Sequence, residues 1–183
     1  GDGTGKTVYP ATVVDWVLVS VRQGGTAVSD EVWKAAALMH NDGTIEFVGQ
    51  CFEVTDPTAS FYVLVEHRNH VGVMTPSGLT PALNGNGELE IAYDFRIQNS
   101  FVDLFTFGQK EIATGTWAMY GADPEKTGNQ NFEINGNDNT IWLNKNGLAE
   151  IYLSADFNLD AEINGSDNSI WLNNNGIASG VPK

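Results

Sequence analysis

Residues 133–148 read EINGNDNTIWLNKNGL and residues 162–177 read EINGSDNSIWLNNNGI, agreeing at 12 of 16 positions with an offset of 29. Agreement that close means one structural unit is used twice. Each copy passes through an oxygen-rich stretch ending at Asp138 or Asp167. A short apolar run follows (Ile141, Trp142, Leu143; Ile170, Trp171, Leu172), then Asn and a Gly. Gly147 and Gly176 read as helix C-caps, where a positive φ ends the last turn at little cost. Each copy therefore predicts a loop followed by a short helix.

The chemistry lies in the loops. Across 156–167, oxygen side chains fall at positions 1, 3, 5, 9 and 12 of a twelve-residue loop: Asp156, Asn158, Asp160, Asn164 and Asp167. A hard divalent cation takes six to eight oxygens from alternate residues of such a loop plus the carbonyl of position 7, here Glu162. Carboxylates at positions 1, 5 and 12 would repel one another without a cation, which points to Ca²⁺. Two positions depart from the EF-hand pattern: Ala161 replaces glycine at position 6, and Asp167 replaces glutamate at position 12. The first copy supplies Asn129, Asn131, Asn135 and Asp138 with the Glu133 carbonyl, but has Thr127 at position 1. An expanded loop through residues 124–128 would bring Asp123 to that slot. The position-8 residues, Ile134 and Ile163, are expected to pair with each other. The competing reading of both loops is an Asn- and Gly-rich turn that binds nothing.

Residues 1 to about 118 follow a different grammar. β-branched and aromatic runs at 12–22, 32–40, 44–48, 61–69 and 88–97 have strand length, and Asn41-Asp42-Gly43 signals a tight turn between the second and third. Residues 88–95 alternate polar and apolar, as a strand with one wet face does. These features predict a mainly β fold with an Ig-like or prealbumin-like antiparallel sandwich over 1–119, followed by a small α domain over 120–183. A piece of about 60 residues barely offsets chain entropy by burial, so metal binding would contribute folding free energy there. The repeated Ile, Trp and Leu residues are expected to form its shared core; exposed sugar-stacking tryptophans are the alternative.

Composition supports the cation reading. The 183 residues carry a formal charge of −14 and are 42% apolar, which disfavours nucleic acid and polybasic membrane attachment. Cys51 is the sole cysteine, excluding an internal disulfide framework or a multi-thiolate zinc site. No run reaches the roughly 18 apolar residues of a membrane span. Other signals are weak. Gly1 to Thr7 resembles the end of a P-loop but lacks its strand and helix context. His67 and His70 would project to opposite faces of one strand. Glu88, Glu90 and Asp94 read as a solvated face. Cys51 has no partner legible in the sequence. The sequon at Asn164 lies inside the proposed calcium loop.

Aspartate at position 12, the missing entering helix and the duplicated loop-helix units resemble the dockerin calcium-binding repeat over roughly 121–178. The stretches VVDWVLVSVR, VWKAAALMHNDGTIEF and FYVLVEHRNHVGVMTP, followed by such loops, resemble a C-terminal region recurring in large exported proteins of Bacteroidetes. The resemblance implies two Ca²⁺ sites, an extracellular or cell-surface location as the C-terminal part of an exported protein, and a cohesin-like docking partner. No nucleophile, base and oxyanion set can be assembled, so the expectation is a non-catalytic module. The alternative is a carbohydrate-binding module that would present Trp16, Trp33 and Trp117 to a polysaccharide.

Overall fold

The computed structural model describes residues 9–49, 52–124, 131–149 and 152–183. Cys51, Asn129, Thr127 and the P-loop-like stretch 1–7 lie outside them. The fold is mainly β. β1 (Val13–Gln23), β2 (Glu31–His40), β3 (Ile45–Phe47), β4 (Phe61–His67) and β5 (His70–Met74) form one antiparallel sheet in the order β3-β2-β1-β4-β5. The β2–β3 turn is the expected one: Gly43 adopts φ +82°, and the N–H and hydroxyl of Thr44 both donate to Asp42 Oδ1.

β1 is the central strand, and strand alternation sends its side chains to two covered faces. Val17 and Val19 join Ala37, Val65 and Val73 in one buried cluster. On the other face Leu64 and Met74, with Val71, meet Phe132, Ile134, Trp142, Phe157 and Ile163. Apolar packing therefore runs without a break from the sheet into the repeats. Fully burying each of these large side chains is worth about 1.5–3 kcal/mol. Gly72 in β5 makes a close approach to the first loop. A Cβ there would lie 2.5 Å from Phe132 Cζ, so the ring rests directly on the strand backbone.

Two ribbons follow: β6 (Ala82–Leu83) with β7 (Leu89–Glu90), and β8 (Lys110–Ala113) with β9 (Thr116–Ala118). The strand expected over 88–97 is thus reduced to Leu89–Glu90. Beyond it, Asp94 accepts from the backbone N–H and guanidinium of Arg96, which turns the chain, while Phe95 packs against the sheet. The polar–apolar alternation there records packing against a neighbouring layer, not a ladder.

α1 (Gly136–Leu143) and α2 (Gly165–Asn174) each begin after a capping Asn, and both downstream glycines adopt φ +91°. Among the described residues no helix is long and apolar enough to cross a membrane. Two expectations fail here. Leu143 and Leu172 are not core residues; both are 62% exposed. Each short helix has one inward face, and Ile141 with Trp142, or Ile170 with Trp171, occupies it. Nor do the position-8 isoleucines pair with each other. The Ile134 N–H donates to the Ile177 carbonyl and the Ile163 N–H to the Leu148 carbonyl, both at 2.8 Å. Each loop thus pairs with the segment that follows the other loop's helix.

Candidate metal centre

The second loop curls around Asp156, whose carboxylate accepts from the N–H groups of Asp160 and Ala161, both at 3.1 Å. Asp167 closes the loop from its far end. Its Oδ1 accepts from the Phe157 N–H at 2.6 Å and its Oδ2 from the Asn164 N–H at 2.8 Å. Asp160 accepts from the Glu162 N–H at 2.9 Å and from the Asn158 amide at 2.8 Å. Asn164 caps α2 by accepting from the Ser166 N–H. The curl requires left-handed backbone at Leu159, φ +62°, and Ala161, φ +68°. Position 6 therefore keeps the conformation that favours glycine although alanine stands there, at a cost of about 1–2 kcal/mol.

The first loop repeats this geometry wherever it is described. Phe132 at position 6 has φ +58°. Asn131 accepts from the Glu133 N–H, Asp138 Oδ2 from the Asn135 N–H, and Asn135 from the Asn137 N–H. Asp123, expected at the first position, is completely buried. Asp138 and Asp167 are equally inaccessible, and Asp156 nearly so. Burial, with Asp167 alongside, pushes the Asp156 carboxyl above its ordinary range; Arg68 is 3.9 Å away. Among the described residues no three His, Cys, Asp or Glu side chains gather closely enough to hold a metal ion. The carboxylates of the second loop are turned onto the loop's own N–H groups. The donor set is all oxygen, with Asp123, Asp138, Asp156 and Asp167 buried and Asn131, Asn158 and Asp160 exposed, and all-oxygen donors suit a hard divalent cation.

The turn between β4 and β5 organises both loops, and sequence reasoning missed it. The Asn69 side chain donates to the Asp156 carbonyl, while the Asn69 carbonyl accepts from Ala122 at 2.9 Å and Asp123 at 3.2 Å. One residue thus fixes Asp156 and Asp123, the two expected first ligands. Arg68 donates to Asp15 at 2.9 Å and to the Leu153 carbonyl, and its guanidinium lies 4.1 Å from the centre of the Tyr152 ring. Arg68 and Asn69 form a two-residue turn without glycine or proline, so residues 61–69 read as one strand.

That misreading also displaced the histidines. His67 and His70 are cross-strand partners, so they share a face, and their Nδ1 atoms are 2.9 Å apart. His67 Nε2 lies 3.1 Å from Asp15 Oδ2, which also accepts from Arg68, and the Tyr152 hydroxyl donates to Asp15 Oδ1. This chain ties β1, the β4–β5 hairpin and the segment entering the second loop into one polar network. Trp16, Trp33 and Trp117 are half-buried. Trp16 and Trp33 also point to opposite faces of the sheet, since Trp33 pairs with Val21 and Trp16 lies one place out of phase with that row. No family model, no curated protein and no solved structure matches the chain.

Proposed function

We propose that this chain is a non-catalytic calcium-binding module of an exported protein, in which two loops bound to Ca²⁺ lock the helices onto the sheet and shape a docking surface. One site would use Asp156, Asn158, Asp160, Asn164, Asp167 and the Glu162 carbonyl. The other would use Asp123, Asn129, Asn131, Asn135, Asp138 and the Glu133 carbonyl. The observation that carries the reading is the recurrence, in two loops 29 residues apart, of the same left-handed position 6 and the same cap-and-close hydrogen bonds. Under this reading the pair of loops is dockerin-like, and the sheet with its covering ribbons is the Ig-like or prealbumin-like layer that carries it. A cohesin-like protein is the partner it favours, at the cell surface or outside the cell.

Calcium bound only by the folded loops adds directly to stability. The test is calorimetric titration of Ca²⁺ into chelator-stripped protein beside thermal unfolding, on the wild type and on Asp156→Ala/Asp160→Ala. Two binding events, one lost in the variant, and a raised melting temperature are expected. A wild type that gives no heat and no shift would end this reading.

A further inference from the structure

Taking the two calcium sites as proposed, we infer that each is positioned by a residue outside its own loop: Asn69 of the sheet for the second site, and Asn174 of α2 for the first. Both are positioning residues, since they touch the backbone that carries the ligands and not the ion. Metal affinity depends on such outer groups because they hold the ligands where the ion needs them.

The second loop is gripped where it begins. Arg68 donates to the Leu153 carbonyl, which also accepts from the Asp156 N–H at 3.3 Å, and the Asn69 side chain donates to the Asp156 carbonyl. Asn69 is completely buried, and its Oδ1 lies 2.6 Å from His70 Nδ1. A carbonyl can only accept, so the amide nitrogen faces Asp156 and the amide oxygen takes its hydrogen from the imidazole. The side chain thus has one orientation, and it reaches from the sheet to the residue proposed as the loop's first ligand. The first loop is held otherwise. Ala122 and Asp123 donate to the backbone carbonyl of Asn69, a grip that needs no side chain. Side-chain support comes instead from Asn174, buried at the end of α2, whose Nδ2 donates at 3.0 Å to the carbonyl of Gly121, two residues before Asp123. A residue of the second repeat therefore steadies the entry to the first loop.

The test reads each site alone. Ca²⁺ is titrated calorimetrically into the chelator-stripped chain with one loop silenced: Asn129→Ala/Asn131→Ala leaves the second site, and Asp156→Ala/Asp160→Ala leaves the first. At the second site Asn69→Ala should weaken binding about tenfold or more, while Asn174→Leu should leave it within about twofold. At the first site the order should reverse. A merely structural role would lower stability without sorting the losses by site. If Asn69→Ala spares the second site, or weakens both alike, the assignment falls while the calcium sites stand. The same holds if Asn174→Leu spares the first. A wild type that takes up no calcium ends the assignment and the calcium sites together. Should Asn69→Ala fail to fold, Asn174→Leu decides alone, because its loss must appear at the first site although it stands in the second repeat.

Discussion

Trp142 in α1 donates its indole N–H to the carbonyl oxygen of Asn164, the residue that caps α2, at 3.1 Å. Trp171 in α2 returns the bond to Asn135, the cap of α1, at 2.8 Å. Each helix is therefore pinned through the start of the other. Trp142→Phe and Trp171→Phe keep most of the ring but remove the indole bond, while the cap carbonyl still accepts from Asn168 or Asn139, so each should lower stability by about 0.5–1.5 kcal/mol. Urea unfolding should show a lower midpoint at unchanged slope.

Position 6 of the loops should respond with opposite signs. Ala161→Gly relieves a left-handed alanine with φ +68° and removes almost no buried surface, so a gain of about 1 kcal/mol is expected. Phe132→Gly relieves a similar backbone but deletes a ring that is only 2% exposed. It should cost about 3 kcal/mol or more. Thermal denaturation of the two variants separates backbone from packing at one structural position.

The contact between Gly72 and Phe132 predicts a suppressor pair. Gly72→Ala places a methyl group 2.5 Å from the ring and should destabilise by about 1–3 kcal/mol. In a Phe132→Leu background the same change should cost measurably less. Additive losses in a double-mutant cycle would show that the close approach carries no energy.

Stability should fall as the pH drops from neutral. Burial, with His67 and Arg68 nearby, pulls the His70 imidazole from its ordinary 6.5 down to about 3. Between those values the unfolded chain takes up a proton that the folded chain refuses. Stability therefore decreases with falling pH by up to about 1.4 kcal/mol per unit. His70→Gln should flatten the slope above pH 4, as read from urea midpoints between pH 4 and 7. Asp15 acts below that. Burial alone would raise its carboxyl, but the bonds from His67, Tyr152 and Arg68 hold it well below the usual range. Its contribution is present above about pH 4 and is lost as the pH falls further.

Four of the five sheet strands were legible because β-branched runs and an Asn-Asp-Gly turn are local signals. β5 was not, because Arg68 and Asn69 reverse the chain using partners distant in sequence: Asp15, Leu153 and Asp156. The two repeated loops were legible from spacing alone. Their support was not, since nothing near residue 156 announces that Asn69 will hold it. The repeated leucines misled for a related reason. Repetition shows that Leu143 and Leu172 occupy equivalent places, but only the tertiary contacts reveal that those places face outward.

The buried guanidinium of Arg22 in β1 donates to the carbonyl of Pro182, 160 positions along the chain, at 2.9 Å. The loop that emerges first likewise waits for Ile177 to pair with Ile134. During synthesis on the ribosome the early strands can collapse and Arg22 can reach the Thr26 carbonyl, but its bond to Pro182 and the pairing of the first loop wait until residues 177–182 have left the exit tunnel. Completion of these two contacts is thus a late event. A chain truncated before residue 177 would lose both the backbone partner of Ile134 and the Pro182 carbonyl that holds Arg22.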